Sequence, residues 1–458
     1  MSHAGSSRQS WLDRFHSIPV FLGSVFCFAL AIRLIVLFVL VHQLPSHTIS
    51  YNDLGWESWE VGWTARSIFM GMGFSSPYLA FTGPTALVPP VYTYLVAGSF
   101  FLFGLNTIHS AVAILTFNSV CSSLTAVVLY FVARNALSKR AGRIAAISWA
   151  LYPFAIYFSA TRIWDYALTS LLFTSCILVA QTLHRRGAWM WCLFGLLYGI
   201  TVMTNPSIAT MLPFLLLIAA AKVWRRSHGT RGQRTWLASG RIIIASLAFA
   251  AACTPWTIRN MKVMHATFFV RDGFWEEFYA GNSGDAHESN SASTHPASSN
   301  VELQKYVQMG ELDYLKHKRE LSITFVKEHP DFFLIATARR VVRFWTGYWS
   351  FAPQYLRYEP FDLPNVPFCL FLLWATARGV RRWSRQRMNT LMPYIVAIVI
   401  FPLPYYLTHS SMDYRQPIEP LLILLVSIGL FGTGLERVHE PTVEHAYEHE
   451  PEREVALA

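Results

Sequence analysis

The sequence predicts an all-α polytopic membrane protein with about ten membrane-spanning helices. Three observations carry this. Of 458 residues, 53% are hydrophobic and only 14% charged, against roughly 25% charged in soluble domains. Apolar runs of about 17–25 residues, long enough to cross a bilayer, recur along the chain. Lys and Arg collect in the short connections at alternate ends of those runs, as in cytoplasmic loops. That topology accounts for the net charge of +10 and excludes nucleic acid as the partner it serves.

The elements follow in order. Residues 1–17 form a cytoplasmic N-terminus, because Arg8 and Arg14 precede the first run. That run, 18–43, is too long for a signal-peptide core, lacks a small-residue cleavage site and reads as a retained anchor. It carries Arg33, which either snorkels or faces a polar cavity. An external loop, 45–106, follows. Its apolar stretch 91–104 reads as a juxtamembrane or re-entrant helix: the cluster Arg134, Lys139, Arg140 and Arg143 after 107–133 must return to the cytoplasm, which allows only an odd number of crossings before it. Spans then alternate over 144–160, 166–183, 188–204, 207–221 and 242–258. The basic groups Arg185-Arg186 and Lys222 to Arg241 fall on the cytoplasmic side. These complete a transmembrane core over 18–258.

A polar extracytoplasmic stretch occupies 259–361. Within it, 283–300 is Ser/Asn/Ala-rich and reads as a loop. Residues 301–328 have helical spacing closed by Pro330. Residues 331–349 place Arg339, Arg340 and Arg343 beside Phe344, Trp345, Tyr348 and Trp349, which reads as an interfacial belt. The expectation is small helices on the outer leaflet rather than a domain with its own core. C-terminal spans over 363–377, 389–407 and 417–435, within 362–436, enclose the basic turn from Arg378 to Arg387. The tail, 437–458, is acidic and reads as disordered. All six cysteines lie in or beside apolar runs and no CxxC occurs, so neither a disulfide framework nor a zinc site is expected.

Chemistry concentrates on the external face. Asp53, Glu57 and Glu60 lie within eight residues, among Trp56, Trp59 and Trp63. In a helix Glu57 and Glu60 share a face. Trp164-Asp165 sits at the turn between two spans, with Arg162 before it. Arg259-Asn260, then Tyr414-Arg415, end two others. A carboxylate here can act as general base on a hydroxyl, guanidiniums can grip a phosphate, and aromatic rings can offer apolar faces to a sugar. Each has an alternative. Trp63 either stacks on a sugar or anchors at the interface. Asp165 either serves the site or caps the following helix. Asp53 serves the site or a turn. Arg259 and Arg415 bind substrate or lipid headgroups. His295 either binds substrate or is structural.

Several segments together resemble glycosyltransferase family 39, within the C-type membrane glycosyltransferases that include dolichyl-phosphate-mannose–protein mannosyltransferases and lipid A aminoarabinose transferases. They are EVGWTARSIFMGMGFSSPY, TGPTALVPPVYTYLVAGSFFLFG, WALYPFAIYFSATRIWD, TNPSIATMLP, PWTIRNMKVMHATFFVRDGFWEEFYAGNSG and MDYRQPIEPLL. The resemblance spans about 18–435. It implies a catalytic carboxylate in the first external loop, a second acid after the third span and a polyprenyl-phosphate sugar donor. On it, Glu60 ranks first, then Glu57, then Asp53, and Asp165 matches the second acid. The family's Asp-Glu pair would fall at Glu57, where Ser58 follows instead. Its Lys-Pro-Pro is replaced by Val88-Pro89-Pro90, so Arg415, Arg259 or Arg162 would have to hold the phosphate.

The resulting expectation is an integral inner-membrane glycosyltransferase with an extracytoplasmic site. It would be inverting, need no cofactor or metal, and move a sugar to a hydroxyl of a protein, lipid or glycan. A transporter or flippase of a lipid-linked glycan, using the same cavity without bond cleavage, is the alternative.

Overall fold

The computed structural model describes residues 17–43, 59–284, 293–347 and 362–432. Asp53, Glu57, Trp56 and the acidic tail lie outside them. Seventeen α-helices account for the fold among the described residues, which contain one isolated bridge, Ser75–Pro84, and no strand. In chain order these are α1 (Ile18–Gln43), α2 (Trp59–Phe69), α3 (Pro90–Phe103), α4 (Ile108–Ala136), α5 (Lys139–Ala150), α6 (Pro153–Thr161), α7 (Tyr166–Thr182), α8 (Ala188–Thr204), α9 (Leu212–Arg226), α10 (Arg231–Met264), α11 (Phe274–Gly281), α12 (Asn300–Met309), α13 (Glu311–Glu328), α14 (Pro330–Thr346), α15 (Asp362–Ile400), α16 (Leu403–Leu407) and α17 (Glu419–Phe431). Seven helical segments are long and apolar enough to cross a membrane, eight if the bent pair α5–α6 counts as one span. The chain is an integral membrane protein.

The apolar stretches α3 and α8 are shorter. At 14 residues, α3 reaches about 21 Å, less than a bilayer's hydrocarbon thickness of about 30 Å. It packs against α2, α4 and α8. In α15, the rings of Trp383 and Tyr394 lie 4.7 Å apart, whereas eleven residues of straight helix cover about 16 Å. The chain therefore folds back between them, at the basic turn.

Burial grades the bundle from centre to rim. The span ending in α17 is 83% buried, while those in α1 and α10 are 22% buried. Two close crossings hold it together, each built on small residues that let backbones touch. A Cβ on Gly195 of α8 would stand 2.1 Å from the Ala245 carbonyl of α10, and Gly199 meets Ala252 in the same crossing. Gly379 of α15 and Gly429 of α17 face each other likewise: a Cβ on either would stand 2.0 Å from a carbonyl oxygen of the other helix.

Arg33 neither snorkels nor lines a cavity. It is fully buried and serves the α5–α6 break. Pro153 has no N–H to offer the preceding turn. Arg33 donates instead to the carbonyls of Ala150 (3.3 Å) and Trp149 (3.5 Å), and to Ser122 Oγ (3.0 Å).

The polar stretch differs from expectation in two ways. Its helix over 301–328 is two helices, because Gly310 has φ +77, a conformation that breaks a helix and suits glycine. These small helices also share a core of their own with the first loop: Tyr78, Leu87, Tyr306, Tyr314 and Leu315. Glu311 fastens this cap by accepting the Ala86 N–H (2.7 Å) and the Tyr306 hydroxyl (2.5 Å). In the expected aromatic-basic belt, Arg340 and Phe344 turn inward and are buried; Tyr348 and Trp349 lie outside the described residues.

Candidate active site

Glu60 opens α2, where the helix N-terminus favours a negative charge. Its side chain is 13% exposed, and Oε1 lies 3.3 Å from Nε2 of His295. His295 is held from behind, since the Ala297 N–H donates to Nδ1 (3.2 Å). Glu276 Oε1 stands 3.9 Å from the same Nε2, and the Tyr78 hydroxyl donates to Glu276 at 2.9 Å. Two opposing demands meet at His295. Burial disfavours its charge, but the carboxylates of Glu276 and Glu60 outweigh that and push its pKa up to about 9. The Ala297 N–H on Nδ1 favours the neutral, Nε2–H tautomer. In either state Nε2 carries a proton towards Glu60. Burial pushes Glu276 up to about 7. Oε2 of Glu60 has no protein hydrogen-bond partner among the described residues.

Asp165 stands at the N-cap position of α7 but makes no side-chain bond to the helix amides. Its Oδ2 accepts from Thr169 Oγ1 (2.6 Å) and Asn205 Nδ2 (3.0 Å). Burial pushes its pKa up to about 6. The capping alternative is therefore not what the side chain does: it is tethered by one oxygen to α7 and to the Asn205-Pro206 turn.

Arg271, absent from the expected residues, lies within electrostatic reach of both carboxylates. Its guanidinium meets Glu277 Oε1 at 3.2 Å. Burial opposes its charge, but Glu277 and Glu60 outweigh burial and hold it more firmly protonated; Arg271 in turn acts on Asp165. Its Nε is buried without a partner among the described residues. Glu277 Oε2 also lies 3.1 Å from Nδ1 of His409, whose Nε2 is 2.6 Å from the Tyr414 hydroxyl. Tyr414 stacks on Tyr405 at 5.0 Å. Beside it, Tyr166 donates to Asp413, whose Oδ1 is buried and unpartnered among the described residues. The site thus draws on the starts of α2 and α7, the 271–277 segment, the 295 turn and the segment joining α16 to α17. Arg271, Glu276, Glu277, His409 and Asp413 were missed. The signals in the sequence were the charge-dense RDGFWEE for the first three and the segment MDYRQPIEPLL for Asp413.

The cationic candidates divide differently from the expectation. Arg415 is 2% exposed and pairs with Glu419. It also donates to the carbonyls of Phe344 (3.2 Å) and Trp345 (2.9 Å) at the end of α14. Glu419 in turn accepts from Tyr152 (2.8 Å). Arg259 donates to the Thr85 (2.7 Å) and Phe74 (2.6 Å) carbonyls and lies over the Trp256 ring, tying the first loop to α10. Arg415 is thereby committed in the buried core, while Arg259, half-buried, spends Nη1 and one N–H of Nη2 on these carbonyls. Arg162 is exposed, without a side-chain partner among the described residues. Trp63 shares the Glu60 face of α2 and carries Arg66 over its ring at 5.1 Å. Tyr414 belongs to the site through His409.

The architecture is that of the C-type membrane glycosyltransferases. Residues 87–256 match the family described as dolichyl-phosphate-mannose-protein mannosyltransferase. The crystal structure of the apo oligosaccharyltransferase of Archaeoglobus fulgidus is similar over 91% of this chain and 51% of its own, at 14% identity and a TM-score of 0.53. The same organism's oligosaccharyltransferase AglB, in complex with an inhibitory peptide and a dolichol-phosphate, is similar over 90% of this chain and 50% of its own, at 13% identity and a TM-score of 0.50. ArnT from Cupriavidus metallidurans, bound to undecaprenyl phosphate, aligns over 90% of this chain and 78% of its own, at 12% identity and a TM-score of 0.39. The chain spans about half the length of the archaeal proteins it matches. No curated protein sequence matches it.

Proposed function

We propose that this protein is a glycosyltransferase that moves a sugar from a polyprenyl-phosphate donor to a hydroxyl of a protein, lipid or glycan, with inversion, at the extracytoplasmic face of the inner membrane. The observation that carries the reading is Glu60, a carboxylate held through one oxygen by His295, with its other oxygen unengaged among the described residues, beside Arg271. The match of residues 87–256 to a dolichyl-phosphate-mannose-dependent family supports the donor class, and the alternation of basic clusters supports the face.

In this mechanism Oε2 of Glu60 takes the acceptor hydroxyl proton. The acceptor oxygen attacks the anomeric carbon from the side opposite the phosphate. The bond from that carbon to the phosphate oxygen breaks, and polyprenyl phosphate leaves with the electron pair. Arg271 takes up the charge on the departing phosphate, the role for which the sequence offered Arg415, Arg259 or Arg162. Arg162, exposed at the end of α6, can add to it. Asp165, which feels the Arg271 charge as Glu60 does, orients the acceptor or sugar hydroxyls through its remaining oxygen. The first-loop acids Asp53 and Glu57 are assigned no separate step.

The test is turnover. Purified protein is given polyprenyl-phosphate sugars and an acceptor, and release of polyprenyl phosphate is measured. Wild-type release with loss in Glu60→Gln supports the reading. Translocation of the donor without a covalent product would replace it with the transporter alternative.

A further inference from the structure

The end of the bundle remote from Glu60 carries a cationic cluster that transfer chemistry does not use. From Asp165, α7 runs 17 residues, about 25 Å, to a short 3-10 turn, Leu183–Arg185. The last turn of α9 packs against that turn. Together they assemble His184, Arg185, Lys222 and Arg226. The charges acting on His184 are Arg226, Lys222 and Arg185, all cationic. None of the four forms an ion pair with another described residue, and His184 has only the backbone of Gln181, a turn earlier in the chain, as a hydrogen-bonding neighbour. His184 and Lys222 are half-buried, and Arg185 and Arg226 are exposed at the rim of the cluster. No Asp or Glu other than Asp165 occurs between residues 61 and 271, and Asp165 is at the opposite end. Cations gathered without a counter-charge, with Lys222 half-buried among them, repel one another, and an anion between them relieves that cost.

The depth of the cluster selects the anion. Trp189, 64% exposed, opens the next helix, and Trp236, 80% exposed, lies in the first turns of α10. Indoles so placed mark the headgroup layer of a bilayer. An anion held between helices at that depth is a lipid headgroup. We infer that His184, Arg185, Lys222 and Arg226 form a binding site for the phosphate of an acidic phospholipid, between α7 and α9. The inference is independent of what the Glu60 site does.

The test uses the full-length protein in detergent, with thermal unfolding and retained lipid as readouts. Phosphatidylglycerol should raise Tm relative to phosphatidylcholine and co-purify with the wild type. Lys222→Gln and Arg226→Gln should each lower retention about fivefold, and the double variant should lose the Tm increment. Arg381→Gln, an exposed cation on the α15 turn, should leave both unchanged. Equal loss in Arg381→Gln would show a diffuse surface-charge effect and overturn the site. So would unchanged retention in the double variant. Inorganic phosphate that raises Tm as much as the lipid would make this a soluble-anion site and overturn the lipid assignment.

Discussion

Nε2 of His295 faces Oε1 of Glu60 at 3.3 Å, across 235 residues of chain. On the proposed mechanism this contact positions the carboxylate, holding one oxygen and leaving the other for the acceptor. Glu60→Gln is expected to lower kcat by about 10²–10⁴-fold. His295→Gln keeps a donor and should lose far less than His295→Phe, with KM little changed in both. Equal losses in the two His295 variants would reduce the residue to packing.

Arg271 and Arg415 separate charge at the site from charge in the core. Arg271→Gln should lower kcat/KM for the polyprenyl-phosphate donor by about 10–100-fold while leaving Tm within a few degrees. Arg415→Ala should cost about 3–5 kcal/mol, because it strands the buried Glu419, and the double variant Arg415→Met with Glu419→Gln should recover much of it. Thermal unfolding beside steady-state kinetics decides between them. A folded Arg415→Ala protein with only a raised donor KM would return Arg415 to the phosphate.

Asp165 makes stability depend on pH. Its pKa is pushed up to about 6 by burial, from 3.8 when unfolded, so the folded state holds the proton more tightly. The contribution is fully present below about pH 3.8 and is lost as pH rises through about 6. Ionisation costs up to about 3 kcal/mol. Asp165→Asn keeps an acceptor for Thr169 and should raise Tm at pH 7–8 relative to wild type while lowering turnover. A pH-Tm profile parallel to that of the wild type would contradict this.

Gly281 sits where α11 meets the end of α16. A Cβ there would stand 1.9 Å from the Thr408 carbonyl and 2.6 Å from the Arg340 guanidinium. Arg340 bridges the same two elements through the Gly281 and Leu407 carbonyls (both 3.2 Å) and Asn282 (2.9 Å). Gly281→Ala is therefore expected to destabilise by about 1–3 kcal/mol and to shift His409 against Glu277, lowering activity beyond the Tm loss. Gly98→Ala, with nothing within 4 Å of its Cβ, is the control.

Hydropathy and charge order made the membrane architecture legible, because length and charge alternation are properties of local sequence. Glu60 and Asp165 stood out for the same reason, as acids beside apolar spans. The first loop's two other acids, Asp53 and Glu57, lie outside the described residues. Arg415 misled because an arginine at a span's end reads identically whether it meets phosphate or Glu419.

By itself the sequence determined the solvent of each segment: apolar runs must enter the bilayer, and cations must collect at one side of it. Only the tertiary structure decided which charges meet. The burial of Arg415 on Glu419, the service of Arg33 to the α5–α6 break and the approach of His295 to Glu60 join residues about 4 to 235 positions apart. A buried charge must find its partner in space, and separation along the chain does not encode that distance.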